Sequence, residues 1–312
     1  MVKVFIQTGI FEGGPVVFRE RLINAFKKIN DIKVIKNPSE KFDVELAFIR
    51  KTIKHNKPYV LRVDGCYYEK SRKSGNKRIE EAILKSSYLI FQSKFSFALC
   101  DKIIGIKKIG INYSIIYNGI DVDYIKNIEP SKDIEPGSFI SCAGWRPNKR
   151  PISTIKGFLK ANTGRHLYMI GGAGFVGRKI DKKYNSKYIH IIDEQSNKNI
   201  ISIMKACDYQ IHLCHIDSCP NAIIEGLTCG LNVLCTNLGG TSELVGSNGV
   251  IMEVDNLWKD RYVDDFDIDS IKPDIVAEGI HRLLRYNKRE IDINFDIDSV
   301  ANCYAGILKK YR

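Results

Sequence analysis

The stretch DSCPNAIIEGLTCG, residues 217–230, sets one carboxylate, Glu225, inside a run of apolar and small residues. A buried charge needs a partner, because an unpaired carboxylate is strongly disfavoured away from water. The flanks narrow the choice of partner. Residues 209–214 and 231–236 each read as a short buried strand, and the residues between them read as one helix. Ser218 is placed to cap that helix, Pro220 to occupy its first turn and Gly230 to end it in the left-handed region. Strand, loop, helix and strand then form a parallel, right-handed unit. The loop entering such a helix at the carboxyl end of a parallel strand is where these folds bind ligands, and its free amides favour an anion. Glu225 stands about a turn and a half further in, where it would accept from a neutral group such as a sugar hydroxyl. Pairing with a Lys or Arg on the outside of the sheet is the other reading this stretch allows.

A second candidate is IGGAGFVG, residues 170–177, which satisfies G-x-G-x-x-G after a strand and has Asp193 where a ribose-binding acid would stand. It resembles the opening of short-chain, nucleotide-sugar-modifying dehydrogenases that use NAD. Three features oppose that reading: the motif lies in mid-chain, RKIDKKYNSKY makes a poor amphipathic helix, and the sequence holds no Tyr-x-x-x-Lys pair. The acidic triplets between residues 264 and 269 are read as a solvated loop and not as a metal site.

The elements that must position these residues alternate from end to end, short apolar strands with helical patterns, which is the mark of α/β layers with parallel sheets. A strand over residues 2–7 leads through Gly-Gly-Pro into a helix with Phe18, Leu22, Ala25 and Phe26 on one face. Further strands are expected over 44–49, 59–63, 88–92 and 114–117, and a second series over 139–143, 167–170, 189–192, 209–214 and 231–236. Residues 126–137 turn polar, with two Glu-Pro turns, and read as a linker. The expected plan is an N-terminal domain over 1–130, a C-terminal domain over 131–298 and a last helix over 299–312 returning to the N-terminal domain, with a cleft between the two domains.

Composition excludes several classes. The 312 residues are 44% hydrophobic and 27% charged, as in a soluble globular protein. The longest uncharged run is interrupted by glycines, so no membrane span is expected, and the N-terminus lacks a signal-peptide pattern. Nine cysteines without C-x-x-C pairs or zinc spacing point to reduced core thiols and a cytoplasmic setting. The net charge of +12 is lopsided: residues 1–130 hold 24 Lys and Arg against 14 Asp and Glu, the remainder 24 against 22. Such a surplus favours anionic surfaces. Nucleic acid is set aside, since the chain lacks a basic module with interleaved aromatics.

Four segments together resemble the retaining, GT-B-fold glycosyltransferases of family four: GGPVVFRERL from residue 13, IIYNGIDVDYI from 115, GWRPNKRP from 144 and PNAIIEGLTCGLNVLCTNLGGTSELVG from 220. The resemblance covers almost the whole chain, and the last segment is its most specific part. It implies two Rossmann-like domains facing a cleft. That family carries two glutamates separated by seven residues; Glu225 matches the second, which holds the donor ribose, and Asp217 stands where the first contacts the donor sugar. The loop Ser218, Cys219, Pro220 and Asn221 would then face the pyrophosphate and sugar with its amides. Cys219 has no basic neighbour in the motif to make it a nucleophile. Arg146 and Lys149 would neutralise the diphosphate, with Arg150 set aside as pointing along the helix surface; exposed basic residues in a turn are the alternative. Gly13 and Gly14 resemble the loop that approaches donor phosphate or acceptor. Asp64 stands near a position where many relatives place a His, as an acceptor-side carboxylate or a strand-end turn former.

The resemblance implies a cytoplasmic enzyme, peripheral to a membrane if its acceptor is lipid-linked, that moves a sugar from a nucleoside diphosphate to a glycan or lipid-linked acceptor, with no cofactor or metal. A non-catalytic nucleotide- or glycan-binding scaffold of the same fold is the alternative, which the Asp217 departure favours.

Overall fold

The computed structural model describes residues 1–8, 13–51, 53–172, 184, 186–254, 268, 270–286 and 293–312. The chain forms two compact units, residues 1–122 with 294–312, and residues 123–293.

In the first unit the described residues form a parallel sheet in the order β2-β1-β3-β4-β5-β6. The strands are β1 Val2–Phe5, β2 Ile32–Ile35, β3 Val44–Phe48, β4 Tyr59–Val63, β5 Tyr88–Phe91 and β6 Tyr113–Ile115. Every residue of β3 and β4 is buried, as expected for a sheet covered by helices on both faces. The helix Gly14–Phe26 buries Phe18, Leu22, Ile23, Ala25 and Phe26. The helix Ile297–Leu308 joins the same core, with its Tyr304 ring 6.0 Å from that of Phe18.

The return of the chain to this unit is held at one crossing. Ile120 N–H donates to Phe295 O at 2.8 Å, and Ile297 N–H donates to Ile120 O at 2.9 Å. A Cβ on Gly119 would lie 2.9 Å from Ile297 Cα, so the close crossing requires glycine there.

The unit boundary falls at 122, not at 130, and the return falls at 294, not at 299. The polar stretch read as a linker is fastened to the second unit. Lys205 Nζ donates to the carbonyls of Ile125, Lys126 and Ile128, Ser131 N–H to Ser202 O, and Ser202 Oγ to Glu129 O.

The second unit's sheet, again over the described residues, is parallel in the order β12-β11-β10-β7-β8-β9. Its strands are β7 Phe139–Cys142, β8 Leu167–Ile170, β9 Ile189–Ile192, β10 Tyr209–His212, β11 Asn232–Thr236 and β12 Gly249–Met252. Both units are Rossmann-like α/β layers. The direction of winding reverses between β1 and β3 in the first and between β10 and β7 in the second. Such switch points open a crevice beyond the carboxyl ends of the two neighbouring strands. Residues 173–177 of the glycine-rich run, and 264–267 and 269 of the acidic triplets, lie outside the described residues.

Candidate functional site

The switch point of the second unit gathers most of the expected residues. The loop after β7 carries Arg146 and Lys149, and the loop after β10 carries Asp217 through Asn221. The two loops are joined by their backbones, His215 N–H donating to Asn148 O at 2.7 Å. That contact sets the register for the side chains. Lys149 Nζ donates to Asp217 Oδ2 at 2.7 Å, and Arg150 Nη2 lies 3.3 Å from His215 Nδ1. Arg146 is exposed, whereas Arg150 is buried and has φ of 50°. Arg150 therefore points inward, not along the helix surface, because the left-handed backbone at 150 turns the side chain toward the β10 exit before the helix Pro151–Ala161 begins.

A third segment fixes Asp217. Gly240 N–H donates to Asp217 O at 2.7 Å. At Gly239, φ is +72° and a Cβ would lie 2.6 Å from Asp217 O; at Gly240 a Cβ would lie 2.1 Å from Ser218 O. The Gly-Gly pair is thus a matter of contact, since a side chain at 240 would push the loop away.

The helix after this loop spans Asn221–Thr228, with Pro220 as its N-cap and no side-chain cap. Ser218 does not cap it and Pro220 precedes its first turn: the loop reaches the helix later than the sequence suggested. Its amino end is left to backbone amides, the arrangement that suits an anion. At the other end Gly230, with φ of +89°, closes the helix, and Leu231 N–H returns to Gly226 O at 3.0 Å. Glu225 is buried and accepts from Asn197 Nδ2 at 3.0 Å. Asn197 opens the helix Asn197–Ala206, and nothing in its own segment hints at this role.

The electrostatics of the cluster follow from burial beside charge. Burial works against the Lys149 ammonium, but the Asp217 carboxylate outweighs it and holds Lys149 above the usual lysine range. Burial likewise pushes the Asp217 carboxyl up, and Lys149 above all outweighs it, holding Asp217 below the usual carboxylate range. His212 is pushed down to about 4 by burial and by Lys149, and His215 to about 4 by burial and Arg150. Both imidazoles are therefore neutral at neutral pH. Burial, reinforced by the charge of Glu225, pushes the Cys229 thiol up to about 12. Cys214 is also pushed up by burial, so neither is a thiolate.

His212, Cys214 and Asp217 bring one ligand atom each within 4.8 Å of one another. Nitrogen, sulfur and oxygen ligands at that spacing suit a divalent ion such as zinc. The cation that Asp217 engages is the Lys149 ammonium at 2.7 Å.

In the first unit, Gly13 has φ of 78° and caps the helix that Gly14 begins, so the pair lies at the loop between β1 and that helix. Asp64 follows β4 and is tied to Arg62, a fully buried cation that the sequence reading passed over. Arg62 also donates to Gln92 Oε1 at 2.9 Å and Asn118 Oδ1 at 2.6 Å, and its guanidinium lies 4.4 Å from the centre of the Phe18 ring. Gln92 Nε2 donates to Asp64 O at 2.6 Å. Asn118 and Gly119 thus give the IIYNGID segment two structural tasks, one in this network and one at the chain crossing. Burial pushes the Asp64 carboxyl up, against the pull of Arg62.

Residues 137–265 match the family model of glycosyl transferases group 1. An uncharacterized glycosyltransferase of Methanocaldococcus jannaschii is 24% identical over 202 residues, which span 63% of this chain and 52% of that protein. The match thus spans about half the length of this curated relative. Among solved structures, the Anabaena protein HepE in complex with UDP superposes with a TM-score of 0.66 at 15% identity, over 99% of this chain and 100% of that one. Sucrose-phosphate synthase of Thermosynechococcus elongatus superposes with a TM-score of 0.72 at 11% identity, over 99% of each chain. The fold is GT-B. The group 1 match contains Arg146, Lys149, Asp217 and Glu225, so the family resemblance and the switch-point cluster coincide in one stretch of chain.

Proposed function

We propose that this chain is a retaining glycosyltransferase that takes a sugar from a nucleoside diphosphate at the switch point of its second unit and passes it to a glycan or lipid-linked acceptor. The convergence of Arg146, Lys149, Asp217 and the amino end of Asn221–Thr228 at the carboxyl ends of β7 and β10 carries this reading. A diphosphate leaving group develops negative charge as the glycosidic bond breaks, and side-chain cations with helix amides stabilise it. Glu225, buried about one turn inside, receives hydroxyls of the ribose. The departing phosphate takes the acceptor's proton, so catalysis consists of positioning and charge stabilisation, without a metal. HepE has also been solved with UDP-glucose, which makes that compound the first donor to test.

The first unit receives the acceptor, with Gly13, Gly14 and Asp64 at its ligand end. Lys70–Gly75 forms a short 3-10 turn leading into the helix Asn76–Leu84, and Arg72, Lys73, Lys77 and Arg78 on it are exposed. Such a patch suits an anionic acceptor or a membrane surface bearing a lipid-linked sugar. A non-catalytic scaffold remains the second reading, favoured by the Asp217 departure. Thermal-shift screening of nucleotide sugars, followed by assay of donor hydrolysis without acceptor, separates the two: a scaffold binds and does not hydrolyse.

A further inference from the structure

The family pattern would have Asp217 touch the transferred sugar, but its surroundings indicate another task. Its backbone is locked from one side by the Gly239-Gly240 turn, which leaves no room for a Cβ and donates an amide to Asp217 O. From the other side the His215-to-Asn148 backbone bond holds the loop of Lys149 against the exit of β10. Between these two fixed backbones, Lys149 Nζ meets Asp217 Oδ2 at 2.7 Å, with the two side chains only 12% and 25% exposed. An aspartate is one methylene shorter than the family's glutamate, so with the backbone fixed its carboxylate stops at Lys149. A buried pair of this kind is worth little as stability, because desolvation offsets the attraction. Its plainer use is to fix where an ammonium points.

We propose that Asp217 is a positioning residue, the counter-charge that holds Lys149 toward the donor diphosphate, and is not a ligand of the transferred sugar. This rests on the donor-site reading above. When the diphosphate arrives, Lys149 has donors enough to serve both anions, and Asp217 sets its direction and keeps it charged. The carboxylate therefore acts on the diphosphate, which UDP and UDP-glucose share, and not on the hexose that only the second carries.

The test compares those two ligands on one variant. Asp217→Asn removes the counter-charge that keeps the buried Lys149 charged and aimed, and the loss of one such cation from a diphosphate corresponds to about tenfold in affinity. Calorimetric titration is expected to show that UDP and UDP-glucose both bind more weakly to Asp217→Asn, by the same factor. Asp217→Glu, which keeps the charge, is expected to bind UDP within about twofold of the parent. Weakened UDP-glucose binding with UDP affinity unchanged would assign Asp217 to the sugar and overturn the proposal. So would UDP affinity in Asp217→Asn equal to the parent's or tighter, because Lys149 would then not depend on its counter-charge, and so would an equal loss in Asp217→Glu, because charge would then not be the cause. If the parent binds neither ligand, nor the nucleotide sugars of other bases, the donor-site reading itself fails, a result distinct from either of these.

Discussion

Glu225 is the residue on which donor affinity should depend most simply. It is buried against Asn197, and its replacement by Ala removes an acceptor from both Asn197 Nδ2 and the proposed ribose hydroxyls. A lost buried hydrogen bond of this kind costs about 1 to 3 kcal/mol, so nucleotide affinity should fall about tenfold in a variant that still folds; titration of the folded variant with the parent's affinity would contradict this. Lys149→Ala should behave differently. It removes charge that is most valuable as the leaving group departs, so turnover should fall by about tenfold or more while the folded fraction is preserved. Turnover within about twofold of the parent would remove Lys149 from the mechanism. Turnover should also survive EDTA, because Asp217 is already engaged by an ammonium; rescue by Mg²⁺ or Zn²⁺ after chelation would instead assign His212, Cys214 and Asp217 to an ion. At this scale the sequence reading found the motif residues but not Arg62, Asn197, His212 or His215. Those are brought to their sites by other strands and helices, and a side chain's role across a fold leaves no mark in its own neighbourhood.

At the scale of elements, the loops after β7 and β10 carry the proposed donor site, and two observations make that assignment testable. Gly240→Ala would place a Cβ 2.1 Å from Ser218 O, so the loop that carries Asp217 must move. We expect a loss of donor affinity together with about 1 to 3 kcal/mol of stability, read by urea unfolding. The second observation is the pair of histidines leaving β10. His212 and His215 have folded values near 4 against an ordinary 6.5. As pH falls below 6.5 the unfolded chain takes up protons that the folded chain refuses, so stability is lost between about 6.5 and 4, by up to about 3 kcal/mol for each. Unfolding at pH 5 should therefore need less urea than at pH 7.5, and His212→Gln should reduce the difference. An unchanged midpoint between the two pH values would contradict the burial of neutral imidazoles.

The strands flanking these loops were legible because they lie in mostly apolar runs, as in β8 and in residues 209–214 around β10. β2 and β12 were not. Each is a four-residue edge strand with a single neighbour, β2 carrying a lysine and β12 opening on a glycine, and so each lacks the run of apolar residues that marks a central strand. The helix cap at Ser218 was misplaced for a similar reason. The sequence offers a capping residue type, but contact with Gly239 and Gly240 decides the path of the loop.

For the whole molecule, the alternation of strands and helices is enough to indicate two α/β units, whereas the boundary is not. Lys205 reaches back over the polar stretch, and a bond across some eighty residues cannot be inferred from turn residues at 129–136. Charge is the property that belongs to this scale. The surplus in residues 1–130, 24 basic against 14 acidic, is concentrated in part on the exposed Arg72, Lys73, Lys77 and Arg78. Replacing these four by Gln should abolish salt-dependent binding to anionic vesicles, since each cation near such a surface contributes about 1 kcal/mol and is screened within about 10 Å at 0.1 M salt. Donor hydrolysis should be untouched; vesicle binding equal to the parent's would leave the patch without this role. The described helices include none long and apolar enough to cross a membrane.

The central claim is that the switch point of the second unit holds a nucleotide sugar and transfers its sugar with retention. Proton NMR of the anomeric signals, recorded early in the reaction of purified protein with each of a panel of nucleotide sugars, tests it most directly. The account predicts that one donor is consumed and that the first sugar released or transferred keeps the donor's anomeric configuration. Inverted product, or no consumption of any donor by protein that binds one, would contradict it.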